Sequence, residues 1–154
     1  MLPGLHGVLA GSPEALKAYK TLHGLFVNSS FNEEELTVIW QTINVEHECH
    51  YCVPAHTAIA HMMKVDTALI EALRNGEAMP NEKLQALQNT TLSIVRNRGR
   101  ISDAELNAFY AAGYKEGQVL DIILAIAQKT MSNYTNHIAN TPVDAPFQKF
   151  IWSK

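Results

Sequence analysis

The sequence is poor in cysteine, in net charge and in long apolar runs, and each shortage removes a class of protein. Two cysteines among 154 residues cannot build a disulfide framework. Twelve Lys and Arg against fifteen Asp and Glu give a net charge of −3, which offers no electrostatic footprint for nucleic acid or an anionic membrane surface. The longest apolar stretch, around Val119 to Ala127, is interrupted by Asp121 and is too short to cross a bilayer. The opening residues Met1-Leu2-Pro3-Gly4-Leu5 lack the basic and apolar regions of a secretory leader, so a cytoplasmic protein is expected. The sequons at Asn28, Asn89 and Asn133 are then chance matches.

What the chain does have is apolar content, at 47%, enough for one domain over residues 1–154. Apolar residues recur at spacings of three and four, and no alternating strand is visible, so an all-α helical bundle is predicted. The start signals are chemical. Ser12 before Pro13 opens a helix through Leu16, Tyr19, Leu22 and Phe26. Asn32 with Glu35 and Ser102 with Glu105 form capping boxes, and Asp66 and Asn81 cap two more helices. A helix after the cysteines carries Ala55, Ile59, Met62 and Met63 as its buried stripe. The longest helix is expected from about Lys115 to Ala139, with Val119, Ile122, Ile123, Ile126 and Tyr134 on its apolar side. Apolar residues on more than one face of this helix, and an aromatic tail of Phe147, Phe150 and Trp152, suit burial against another subunit or within a large intrachain core.

Both cysteines lie in Cys49-His50-Tyr51-Cys52-Val53-Pro54-Ala55-His56. A disulfide this tight closes almost no loop, so structural stabilisation is a poor reason for it. Redox chemistry or metal binding is the better reading of a Cys-x-x-Cys pair in a reducing compartment. On a helix, Cys49, Cys52 and His56 share one face. Pro54 is tolerated only in a first turn, which puts Cys52 at the positive end of the helix dipole, where thiolate is favoured. His56 is placed to take the Cys52 proton, and Cys49 to close a disulfide on an oxidised Cys52. Two cycles fit: attack of Cys52 on an O–O bond followed by resolution through Cys49, or dithiol–disulfide exchange without peroxide. A non-enzymatic redox sensor whose assembly follows the thiol state is a third reading.

Zinc would need further ligands. His47, His50 and His61 are near in sequence, but no second ligand pair occurs elsewhere, and His61 points away from the cysteine face. A haem attachment motif would need His where Val53 stands. No metal or cofactor is therefore assigned.

Cys49-x2-Cys52-x3-His56 after an amphipathic helix resembles the carboxymuconolactone decarboxylase/alkylhydroperoxidase AhpD-like superfamily, in its peroxidase-type branch. The likeness extends to Leu36–Asn44, to Asn97–Asp103, to Ala111-Ala112-Gly113-Tyr114 and to Asn133-Tyr134-Thr135-Asn136-His137, covering about residues 8–145. The resemblance implies a thiol-dependent hydroperoxide reductase with Cys52 peroxidatic, Cys49 resolving and His56 in a proton relay. Its implied partners are a hydroperoxide substrate, an external dithiol reductant and copies of itself, as a trimer or a multiple of one. Lactone decarboxylation, the work of relatives lacking the cysteine pair, is not implied.

Two positions depart from that pattern. The relay glutamate of the family falls on Thr37, and its histidine between the cysteines falls on Tyr51. Glu35 is the better capping-box residue. Glu46, three residues before Cys49, is the carboxylate that could reach His56, or else a solvated turn residue. His137 reads as a helix-end histidine, and Trp40 as core.

Overall fold

The computed structural model describes residues 2–154; Met1 lies outside the described residues. Helices begin where the sequence places oxygen acceptors. The Ser12 hydroxyl accepts the Ala15 N–H and starts α2 (Pro13–Val27). Asn32 and Glu35 exchange side-chain and backbone bonds to open α3 (Glu33–Glu46). Asp66 caps α5 (Thr67–Asn75), Asn81 caps α6 (Glu82–Arg96), and the Ser102–Glu105 box opens α7 (Asp103–Ala111). The cysteine helix α4 runs Cys52–Met62 and the longest, α8, Glu116–Ala139. Among the described residues there is no strand, and no helix is long and apolar enough to cross a membrane.

Two elements were not anticipated from the sequence. Helix α1 (Gly4–Leu9) has no side-chain cap, and buries Leu5 and Leu9. It is held from the far end of the chain: the Gly4 N–H donates to both Asp144 carboxylate oxygens at 3.2 and 3.1 Å. The tail forms a 3-10 turn, Ala145–Phe150, that packs on α4.

Helix α3 is the axis of the molecule. It is buried continuously from Glu35 to Asn44 and packs against α4, α5, α6 and α8. Its apolar side joins Phe26, Ile70, Leu87, Phe109 and Ile122 in the main core. A smaller cluster at one end gathers Leu5, Leu9, Tyr19, Tyr51, both cysteines and Ala55.

Two expected stripes differ from the structure. Met62 is 80% exposed, because α4 turns Val53, His56, Thr57 and Ala60 inward instead. On α8 Ile122 is buried, but Ile123 and Tyr134 are exposed. The inward line continues from Ile122 and Ala125 into Gln128, Lys129, Ser132, Asn133 and Asn136, all with no exposure. The aromatic tail is consumed within the chain. Trp152 Nε1 donates to the Arg74 carbonyl at 2.8 Å, and Phe150 stacks on His61. Leu120, Ile123, Tyr134 and Ile138 remain exposed on α8.

Candidate active site

The cysteine segment follows a sharp turn. Glu48 takes a left-handed conformation (φ 52°) after α3, and the Cys49 N–H returns to the Asn44 carbonyl at 2.9 Å. Helix α4 then starts at Cys52, with Pro54 in its first turn, as the missing proline N–H requires. The Cys52 N–H donates to Cys49 Sγ at 3.3 Å, so the two sulfurs lie on one side of the helix start. Both thiols are free and buried.

Polar side chains from α3 and α8 hold this helix start. Asn44 Nδ2 donates to the Gln41 side-chain oxygen at 3.1 Å and to the Cys52 carbonyl at 3.4 Å. Gln41 Nε2 donates to the Val53 carbonyl at 3.2 Å and to the Thr57 hydroxyl at 3.1 Å. Asn133 Nδ2 donates to Asn44 Oδ1 at 3.0 Å, while its oxygen meets His47 Nδ1 at 2.9 Å. Asn136 Nδ2 donates directly to Cys52 Sγ at 3.2 Å. The Gln41, Asn44 and Asn133 amides fix geometry through these bonds, because an unmade bond there costs the whole desolvation of the group; the Asn136 side-chain oxygen is buried without a partner.

These groups separate the two thiols electrically. Burial pushes Cys52 up, but the hydrogen bond from Cys49, the charge of Lys129 and the Asn133 and Asn136 amides outweigh it and bring the thiol down to about 5. The hydrogen bond to Cys52, followed by burial and the Cys52 charge, drives Cys49 strongly upward. One cysteine is thus a thiolate at neutral pH and its neighbour a thiol, the pairing that a nucleophile and a resolving donor need.

His56 faces the same space. Its Nε2 lies 2.8 Å from Lys129 Nζ, its Nδ1 is buried without a partner, and Trp40 packs against its ring at 4.9 Å. Burial, then the charge of Lys129, lowers His56 well below its ordinary value, so the imidazole is neutral. Trp40 is fixed in turn by its Nε1 bond to Gln128 at 2.9 Å and by stacking on His23. A pocket of about 260 Å³ opens onto Cys52, His56 and Lys129, walled by Leu5, Tyr19, Tyr51, Ile59 and Phe147, with His6, Lys20 and His23 also on its lining.

Cys49, Cys52 and His56 are brought together; Glu46 is not. Both Glu46 oxygens are taken by the Arg96 guanidinium, at 2.7 and 2.8 Å, so the carboxylate caps the end of α6 rather than His56. That hydrogen bond, the leading cause, holds the Glu46 carboxyl below its usual range. Glu35 serves its capping box and pairs with Lys83 at 2.9 Å. Thr37 donates to the Glu33 carbonyl. The place opposite His56 belongs to Lys129, which the sequence reading missed along with Asn133 and Asn136. Their signal was the phase of α8: they continue the spacing of Ile122 and Ala125, with polar side chains where apolar ones preceded.

Tyr51 donates to Asp144 at 2.6 Å and accepts the Leu5 N–H at 3.4 Å, tying α1 to the tail over the pocket. His50 meets the Thr141 carbonyl and stacks on His137, and His61 stacks on Phe150. Among the described residues, no three His, Cys, Asp or Glu side chains converge as a metal set.

The site therefore combines an all-helical fold with a Cys-x-x-Cys pair at a helix start. Two solved structures carry the likeness. A protein from Ralstonia eutropha JMP134, described as an alkylhydroperoxidase AhpD core and an uncharacterized peroxidase-related protein, superposes with a TM-score of 0.86 at 18% identity, over 96% of this chain and 80% of that one. An uncharacterized peroxidase-related protein from Silicibacter sp. TM1040 gives 0.84 at 19% identity, over 96% and 79%. At such identities the likeness defines the fold, which is AhpD-like. No protein-family profile and no curated protein matches the sequence.

Proposed function

We propose that the protein is a thiol-dependent hydroperoxide reductase. The observation that carries this reading is the geometry of the cysteine pair: Cys49 Sγ accepts the Cys52 N–H at the start of α4, and Cys52 Sγ accepts from the Asn136 amide, an arrangement that favours the Cys52 thiolate. Cys52 attacks the terminal oxygen of a hydroperoxide, the O–O bond breaks, and Cys52 becomes a sulfenic acid. Cys49 attacks that sulfur, releasing water and closing the disulfide, which an external dithiol then reduces. His56, neutral in the same pocket, is the hydrogen-bond partner of the buried Lys129. The peroxidase-related descriptions of the two similar structures point the same way.

Dithiol exchange on protein substrates is the weaker reading on one specific ground. Both cysteines are buried, and Cys52 lines a largely apolar pocket of about 260 Å³, a size suited to a small molecule.

The test is hydroperoxide consumption with a general dithiol reductant. Cys52→Ser is expected to abolish it, and intact mass under mild peroxide to show a loss of two hydrogens in the parent only. Undiminished consumption by Cys52→Ser sinks the proposal.

A further inference from the structure

Lys129 is a buried cation whose charge favours the Cys52 thiolate but whose proton the dithiol cycle leaves unused. It has no exposure to solvent, and none of the ion pairs among the described residues includes it. An ammonium taken out of water is costly unless an opposite charge meets it. The anion available in its own pocket is the Cys52 thiolate, whose charge acts against the effect of burial on Lys129. Ammonium and thiolate offset one another at the buried end of the pocket.

We infer that Lys129, fixed by its 2.8 Å hydrogen bond to His56 Nε2 in the pocket it shares with Cys52, is the catalytic acid that protonates the alkoxide released from a hydroperoxide. This rests on the thiol peroxidase reading. An ammonium has three N–H donors. One is spent on His56, leaving two for other groups in the pocket, the departing oxygen among them. An imidazole that accepts from Lys129 at Nε2 carries its proton on Nδ1, which is buried without a partner.

The other groups around the pocket are poorer donors. The Tyr51 hydroxyl is committed to Asp144. His6, His23 and His56 are each lowered mainly by burial and held neutral. Lys20 is solvent-exposed. The Cys49 thiol proton is needed later in the cycle. Tyr19 remains a competitor, although burial pushes its hydroxyl up to about 12.

The steps balance. Cys52 thiolate and ROOH give Cys52 sulfenic acid and RO⁻; the O–O bond breaks and an S–O bond forms. The alkoxide takes a proton from Lys129 and leaves as ROH, so Lys129 becomes a neutral amine. Cys49 thiol and the sulfenic acid give the disulfide and water. The external dithiol reduces the disulfide to two thiols and is itself oxidised. The Cys52 thiol then returns its proton to the Lys129 amine. The sum is ROOH and a dithiol giving ROH, water and a disulfide.

A leaving group that needs no proton separates acid catalysis from every other role. Peracetic acid releases acetate, whereas tert-butyl hydroperoxide releases a strongly basic alkoxide. Rates are compared at a pH where ultraviolet thiolate absorbance shows Cys52 ionised in each variant. Lys129→Met is expected to slow tert-butyl hydroperoxide reduction by about 100-fold or more, and peracetic acid reduction by less than about 10-fold. Lys129→Arg retains the charge but holds its proton, and is expected to keep the low Cys52 titration and share the selective loss. Methionine replaces a buried charge with similar volume, so folding, followed by circular dichroism, is expected to survive.

Equal loss on both substrates overturns the assignment. So does full activity in Lys129→Arg, which would leave the charge alone as the cause. Selective loss in Tyr19→Phe instead of Lys129→Met would transfer the role and also overturn it. A parent that reduces neither substrate, or a Cys52→Ser that reduces both, defeats the peroxidase reading itself. The parent and Cys52→Ser rates therefore tell the two failures apart.

Discussion

The two ends of the bundle are held by different forces, and α8 runs through both. At one end Phe109 stacks on Tyr114 at 4.5 Å and Ile122 meets the apolar side of α3. That region is fixed by shape and tolerates no vacancy. At the other end the same helix face presents Gln128 to Trp40, and Lys129, Asn133 and Asn136 to the cysteine site, and hydrogen bonds and charge set the geometry. Apolar packing is cheap to specify but chemically mute. A buried polar surface is expensive unless every member finds a partner, and in return it can hold a sulfur as an anion.

The sharpest way to break this contrast is to damage one end and watch the other. Phe109 is fully buried on the apolar side. Phe109→Ala is expected to cost about 3–5 kcal/mol of unfolding free energy, from lost burial and the cavity left behind. Urea unfolding measures it. While the variant stays folded, the Cys52 titration should not move. A shift of the thiolate curve would mean that the two ends are coupled through α8, and the division drawn above would fail.

Damage at the polar end should do the opposite. Asn136→Ala removes the amide that donates to Cys52 Sγ. A hydrogen bond to a charged acceptor is worth about 1.5–3 kcal/mol, so the Cys52 titration should rise by about one to two pH units. The sign follows from which form the bond favours: Asn136 stabilises the anion, so its loss favours the thiol. The pH profile of peroxide reduction should move upward with it, read by ultraviolet absorbance and initial rates. An unmoved titration would leave Lys129 and Asn133 as the groups that matter.

The same contrast explains what the sequence made legible. Caps were readable because Ser, Asn and Asp bond to backbone within three residues, and Ser12, Asn32, Asp66, Asn81 and Ser102 each start a helix. Cys52 at the start of α4 was readable from Pro54. Helix α1 was not, since its anchor, Asp144, lies 140 residues away. Lys129 was not, because a polar residue at an inward phase looks solvated until the helix opposite it is known.

Glu46 shows the limit of proximity in sequence, and it carries the smallest expected effect. It stands three residues from Cys49, yet the turn after α3 sends its carboxylate to Arg96. The pair is bidentate, but the Arg96 side chain is 58% exposed, so solvent screens it. Glu46→Gln is expected to cost about 0.2–1 kcal/mol at neutral pH and to leave the Cys52 titration and peroxide reduction unchanged. The folded carboxylate titrates below the unfolded one, so its contribution is complete above about pH 4.3 and fades as the pH falls further. The difference between parent and variant should therefore shrink in acid. A loss of peroxide reduction in Glu46→Gln, with stability intact, would return the carboxylate to the proton path and take that role from Lys129.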